Sequence, residues 1–251
     1  GLILVTGPTG SGKTTTLYSA LQVLATDRVN VTTIEDPIEM VVEEFNQTSV
    51  RPKAGITFAA ALRTILRQDP DVIMVGEIRD TETAQNAIQA ALTGHLVLST
   101  LHTNDTGGAL TRLAELDVEP FLIASTVVGV IAQRLVRKVC ESCRVDTTLS
   151  GEQLLALGLP VPDDGEAPQL PVAHGKGCPD CRHTGLRGRI GVYEVMPMSD
   201  RLRSMVIEGT SAPDVMKAAR TDGMATLRES AIKKLAQGVT SFEEVLRVTG
   251  E

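Results

Sequence analysis

Tryptophan is absent, and two tyrosines and four phenylalanines hold the aromatic content to 2% of 251 residues. Proteins that track single-stranded nucleic acid stack bases on aromatic side chains along a basic groove. Here the formal net charge is −7 and the pI about 5.2. No nucleic-acid partner is expected, although an acidic total can conceal a local basic patch. No apolar run approaches the roughly 18–20 residues of a helical membrane span. No secretory leader is visible, and the chain opens directly on a strand-like run, as a piece of a longer cytoplasmic protein would. Cysteine is scarce as well: the four present form two C-x-x-C pairs, which in a reducing compartment favour metal over disulfide.

What is present is an α/β pattern. With 42% hydrophobic residues, the chain can bury one nucleotide-sized core and something smaller. Apolar runs at Leu2–Val5, Val31–Ile34, Asp71–Val75 and Leu96–Thr100 read as strands. Helical patterns follow Thr14, Thr57, Thr81 and about Ala109, with Thr57 as an N-cap and Leu62, Ile65 and Leu66 on an apolar face. Phe45–Val50 reads as a short hairpin arm. Three consecutive parts are expected: an α/β core over 1–136, a Pro- and Gly-rich insertion with the cysteines over 137–196, and a helical part over 197–251. Pro160–Pro171 reads as an exposed loop, and Ser199, Ser211 and Ser241 as helix caps in the tail.

The most specific motif is Gly7-Pro8-Thr9-Gly10-Ser11-Gly12-Lys13-Thr14, which fits G-x-x-x-x-G-K-[ST]. A buried strand enters it and a helix leaves it, the context a phosphate loop requires. The glycines let backbone N–H groups wrap phosphates, and the helix N-terminus favours negative charge. Lys13 would reach the β- and γ-phosphates, the Thr14 hydroxyl would sit on Mg²⁺, and Thr15 would extend the cradle. The competing reading is an ordinary Gly/Ser turn.

Val72–Val75 leads to Gly76-Glu77, where nucleotide sites commonly carry a metal-side Asp. Glu77, or one of Glu35, Asp36 and Glu39 at the end of the second strand, must take that place. Strand ends along one edge of a parallel sheet converge on a ligand crevice. Turn and cap duties around Pro37 are the alternative for Asp36 and Glu39. His95 and His102 flank the fourth strand, and a polar group there suits γ-phosphate sensing. Arg63 and Arg67 share a helix face and, with Arg79, are candidates for charge stabilisation or a solvated face. Cys140, Cys143, Cys178 and Cys181 offer four thiolates to a structural Zn²⁺, with 34 residues between the pairs.

Together these motifs resemble the bacterial secretion ATPases of type II secretion and type IV pilus assembly, over nearly the whole chain. The phosphate loop is followed in family order by Thr33-Ile34-Glu35-Asp36-Pro37-Ile38-Glu39, the arginine segment Leu62–Asp71, Val75-Gly76-Glu77-Ile78-Arg79-Asp80, and Ser99-Thr100-Leu101-His102-Thr103-Asn104-Asp105. Ala132-Gln133-Arg134-Leu135 precedes the cysteines, as in this family. The tetracysteine insertion resembles the secretion and pilus-extension branches, and Gly191-Val192-Tyr193-Glu194 looks closer to type II secretion.

The resemblance implies that residues 1–136 form a RecA-like P-loop core hydrolysing ATP in a ring, usually a hexamer, peripheral to the inner membrane through platform proteins. It implies that Glu39 positions or deprotonates the attacking water while Thr14 and Glu77 serve Mg²⁺, with exchange of the two glutamate roles left open. His102 would sense the γ-phosphate, and Arg63 and Arg67 would act at the site or at a subunit boundary. The family's N-terminal domain, which adds further arginines, is not among these residues. Rival readings are a type IV pilus extension ATPase, a nucleic-acid-translocating RecA-like motor, and a scaffold that only binds nucleotide.

Overall fold

A computed structural model of the chain describes residues 1–161 and 170–250. In chain order its elements are β1 (Leu2–Thr6), α1 (Lys13–Leu24), β2 (Val31–Glu35), β3 (Asn46–Ser49), α2 (Phe58–Ile65), β4 (Val72–Val75), α3 (Thr81–Leu92), β5 (Leu96–Leu101), α4 (Thr106–Glu115) and α5 (Pro120–Thr126). Then come β6 (Val127–Val139), β7 (Arg144–Thr148), α6 (Gly151–Ala156), β8 (Pro171–Gly175), β9 (Leu186–Pro197), α7 (Asp200–Ile207), α8 (Ala212–Thr221), α9 (Leu227–Ala236) and α10 (Phe242–Thr249). These form two compact units, Gly1–Gln133 with Glu194–Met224, and Arg134–Tyr193 with Ala225–Glu251.

In the first unit the strand order is β3-β2-β4-β5-β1-β6-β9, and every pairing from β3 to β6 is parallel. Parallel strands are covered on both faces, which explains why β2 and β4 are buried at every position. Small residues let α3 lie close to the sheet: Ala84, Ala87 and Ala90 are fully buried. The expected caps form. Thr57 accepts from Ala60 N, and Asp80 from Thr83 N, each contact typically contributing about 1 kcal/mol. The consequence for function is directional: the segments after β1, β2, β4 and β5 all leave from the carboxyl edge of one sheet.

Two expectations change. Phe45–Val50 is no hairpin arm: Asn46–Ser49 joins the main sheet as a parallel edge strand, with Thr32 opposite Asn46 and Glu35 opposite Ser49. The helical tail does not pack as one part. Leu202, Val215, Ala218, Ala219 and Met224 enter the core of the first unit, whereas Ala231, Leu235 and Val245 enter that of the second. The segments therefore group by which core their apolar faces fill, and not by chain order. Ser199, Ser211 and Ser241 do cap α7, α8 and α10. The expected exposed loop Pro160–Pro171 lies largely at 162–169, outside the described residues, and Pro171 starts β8.

The second unit holds the antiparallel pair β7–β8, the four cysteines, and α6, α9 and α10. Its small core gathers Val136, Leu149, Leu154, Val172, Val192, Leu235 and Val245. An ionic clamp supplements it. Glu244, 1% exposed, accepts from Arg137 N at 2.7 Å, from the Arg137 guanidinium at 2.8 Å and from that of Arg247 at 2.7 Å. Burial alone would raise its pKa, but the two arginines prevail and hold it at about 2.

Candidate functional site

The loop after β1 turns through Gly10 and Gly12, with φ of 78° and 86°, a left-handed backbone that glycine adopts without strain. Gly12 caps α1 with no side chain involved, so the first N–H groups of that helix stay directed at the loop. Lys13 Nζ donates to Gly7 O at 2.8 Å and to Pro8 O at 3.2 Å, which folds the ammonium over the cradle. Pro8, Thr9 and Gly10 are exposed, Ser11 is buried, and Thr14 is half-buried while Thr15 is exposed, both in the first turn of α1.

Thr14 Oγ1 donates to Glu39 Oε1 at 3.4 Å, which brings the acidic segment against the start of α1. The three carboxylates of that segment separate by environment. Asp36 and Glu39 are exposed, whereas Glu35 is 3% exposed and accepts from Tyr18 Oη at 2.5 Å, Thr33 Oγ1 at 2.6 Å and Gln47 Nε2 at 3.0 Å. Glu35 is thus a structural acceptor and not a free metal-side carboxylate. Burial, followed by the adjacent Glu35 carboxylate, pushes the Tyr18 phenol well above its usual range.

At Gly76, where an Asp is common, β4 and β2 approach closely. A Cβ there would sit 3.1 Å from Ile34 O. Gly76 N donates to that same oxygen at 2.8 Å, and Thr100 Oγ1 donates to Gly76 O at 2.7 Å. Glu77 follows, its side chain 17% exposed, accepting from Arg79 Nε at 2.8 Å and lying 3.1 Å from His102 Nε2. Glu77, Arg79, His102, Thr103 and Arg112 line a cleft of about 570 Å³. His95 belongs elsewhere: it precedes β5, and its Nδ1 lies 3.0 Å from Ala90 O. Arg63 pairs with Glu82 on α3, and Arg67, expected on the same helix face, lies past the end of α2 and is exposed.

Sequence reading missed the residues that hold this edge together. Gln133 on β6, 2% exposed, donates to Ser11 O at 2.8 Å and accepts from Thr16 Oγ1 at 2.8 Å, so one carboxamide braces both the loop and α1. Glu194, 3% exposed, accepts from Thr106 N at 2.9 Å and Thr106 Oγ1 at 2.7 Å, anchoring the start of α4 just beyond the His102 segment. Both residues stood in quoted motifs, but spacing carries no sign of what they contact.

In the second unit the Sγ atoms of Cys140, Cys143, Cys178 and Cys181 all lie within 4.8 Å of one another. The closest pairs are 3.7 Å and 3.9 Å apart. Metal–sulfur bonds of about 2.3 Å in a tetrahedron set sulfurs roughly 3.8 Å apart, so the four residues fit a tetrahedral ion. Burial favours neutral thiols and pushes Cys143 up to about 12. Cys181 goes the other way: against its burial, N–H groups of Cys178 and Gly185, each 3.2 Å from its sulfur, hold it at about 6. Such N–H donors support a metal-bound thiolate.

A curated type IV pilus assembly ATPase PilB from Thermus thermophilus is 51% identical over all 251 residues, which cover 28% of that protein. The type II secretion system protein E of Pseudomonas aeruginosa is 50% identical over 252 aligned residues, covering all of this chain and 49% of that protein. The chain thus spans about half or less of the length of these relatives. The solved pilus retraction motor PilT with bound ADP superimposes with a TM-score of 0.70 at 29% identity, covering all of this chain and 62% of that one. The Legionella pneumophila ATPase DotB gives 0.71 at 27% identity, covering all of this chain and 60% of that one. No described helix is long and apolar enough to cross a membrane. Since residues 1–247 match the family model described as "Type II/IV secretion system protein", this chain belongs to that family.

Proposed function

We propose that this chain is the catalytic part of an ATPase that powers type II secretion, hydrolysing ATP at the β–γ bond with an in-line water. The observation that carries the reading is the convergence of Lys13, Thr14, Glu39, Glu77 and His102 on segments leaving one edge of a parallel sheet, with Thr14 touching Glu39 and His102 touching Glu77. Backbone N–H groups from Gly10 to Thr14 and the Lys13 ammonium hold the phosphates. Thr14 and Glu77 would hold Mg²⁺, which would neutralise charge on the phosphates. Glu39, exposed beside Thr14, orients the water and takes its proton. His102 reads the γ-phosphate and passes its presence to Glu77.

Arg63 and Arg67, both exposed, would act at the site or at the boundary with a neighbouring copy in a ring, most simply a hexamer. The membrane platform proteins of the secretion system are the expected partners, at the cytoplasmic face of the inner membrane and chiefly through parts of the protein beyond this chain. Hydrolysis would then drive rigid-body movement against that platform. The cysteines would hold one structural Zn²⁺, since four thiolates leave no open position for chemistry. Pilus extension is the second reading, favoured by the 51% identity to a pilus assembly ATPase. The expected three functional parts, 1–136, 137–196 and 197–251, remain proposals about roles, because packing follows the two units above.

The test is Mg²⁺-dependent phosphate release from ATP by the full-length protein over a wide range of concentration. Specific turnover should climb as neighbours assemble. A protein that binds ATP without turning it over at any concentration overturns the enzyme reading. A constant rate in a monomer confirmed by sizing overturns the ring.

A further inference from the structure

Between β2 and β3 the chain runs without helix or strand from Asp36 to Phe45, and this irregular stretch carries Glu39. Burial does little to hold the residues next to Glu39: Met40 is 51% exposed and Val41 82% exposed. Ordering such a stretch costs conformational entropy that some contact must offset. Val42 and Phe45 anchor the far end of the stretch in the core, and the part next to Glu39 is held by polar contacts. Gln47 on β3 accepts from Val42 N at 2.8 Å through Oε1 and donates to Met40 O at 3.0 Å through Nε2. One carboxamide thus pairs with the C=O and N–H of residues two apart, as an adjacent strand would. Gln47 Nε2 also lies 3.0 Å from Tyr18 Oη and 3.0 Å from Glu35 Oε1. Tyr18 Oη lies 2.5 Å from Glu35 Oε2 and 3.1 Å from Met40 O. Tyr18 stands on α1, one turn after Thr14, the residue whose hydroxyl meets Glu39.

We propose that Tyr18 and Gln47, seated on the buried Glu35 carboxylate, form a clasp that positions Glu39 for catalysis by gripping the backbone on its C-terminal side. The proposal rests on the reading of Glu39 as the water-orienting residue. It assigns Glu35 no chemistry of its own: Glu35 is the fixed acceptor that aligns the phenol and the carboxamide. The phosphate loop does not depend on the clasp, so the clasp acts on turnover and not on nucleotide binding. A misplacement of about 1 Å near reacting groups costs as much as 100-fold in rate.

Tyr18→Phe tests this with little risk to folding, because it keeps the ring that meets Phe45 at a centroid distance of 5.9 Å. Gln47→Met is the second variant, of similar length without the carboxamide. Each is made in full-length protein alone and on a Glu39→Gln background, and kcat and KM for ATP are measured. The expected result is a fall in kcat of about 10- to 100-fold for each single variant, with KM changed by less than about threefold. On the Glu39→Gln background neither variant should lower residual turnover further, since the residue it positions is already disabled. Retained kcat in both single variants, with Glu39→Gln disabled, overturns the clasp. So does an undiminished loss on the Glu39→Gln background, which marks a general structural role. Normal turnover in Glu39→Gln alone removes the reading beneath the proposal, an outcome distinct from the other two.

Discussion

The nucleotide edge of the first unit and the cysteine centre of the second hold reactive groups in fixed positions by opposite means. At the nucleotide edge the chemistry is spread over loops after β1, β2, β4 and β5, and side chains from other elements hold it: buried Gln133, far away in sequence, for the phosphate loop, and Gln47 with Tyr18 for the acidic segment. At the cysteine centre the ligands hold one another, through sulfurs 3.7–3.9 Å apart and N–H donors from their own turns. The first arrangement allows groups to move relative to one another as phosphate comes and goes. The second has nothing to gain from movement. A dispersed site draws its rigidity from the large core beneath it, whereas the second unit has a small core and needs a local staple.

The contrast breaks first at the proposed zinc. Stripping it with a chelator, or replacing Cys143 by Ser, should melt the second unit while the phosphate loop still binds nucleotide. Zinc binding in small domains is worth on the order of 10 kcal/mol, which sets the scale of the loss. Metal analysis beforehand should find one zinc per chain. A metal-free protein with unchanged melting removes the structural-zinc reading. Lys13→Ala should do the reverse, lowering turnover roughly 100- to 1,000-fold with zinc content and melting unchanged, as loss of a preorganised contact to developing charge does. Retained turnover in that variant ends the phosphate-loop assignment.

Glu244 sharpens the comparison, because the second unit also leans on an ionic clamp. Its folded pKa of about 2 lies below the ordinary 4.5, so the clamp's contribution is complete above about 4.5 and drains away as pH falls toward 2. Glu244→Gln should cost about 1–3 kcal/mol at neutral pH, discounted because both arginines are half-exposed, and should flatten the acid limb of the melting curve. An unchanged acid limb contradicts the clamp. The smallest stability effect belongs to Arg63→Ala, since its pair with Glu82 is exposed on both sides and worth less than about 1 kcal/mol. A large fall in turnover with unaltered melting would therefore locate Arg63 at a neighbour's site. Unchanged turnover removes it from catalysis.

Much of the nucleotide edge could be read from sequence because its chemistry lies in short contiguous motifs. A buried apolar strand running into a glycine loop at Gly7–Thr14 announces both the loop and the helix that leaves it. Thr57 and Ser199 announce their helices through cap chemistry that acts over three residues. Legibility ended where partners are distant or where one residue type serves two purposes. Glu35 and Glu39 look alike in sequence, and only burial separates a structural acceptor from an exposed catalytic candidate. Gln47 sat in a stretch read as a hairpin because its four-residue strand is polar, and a parallel edge strand leaves no turn signal. The tail read as one helical part because amphipathic faces do not say which core they fill.

The most direct test of the account is a paired measurement on full-length Glu39→Gln: ATP affinity by direct binding, and turnover at saturating ATP with Mg²⁺. The account predicts affinity within a few-fold of the unaltered protein and turnover lower by roughly 100-fold or more, with ATP held unhydrolysed on the protein. Turnover close to that of the unaltered protein would contradict it, and would move the water-activating role away from the segment that Tyr18 and Gln47 hold in place.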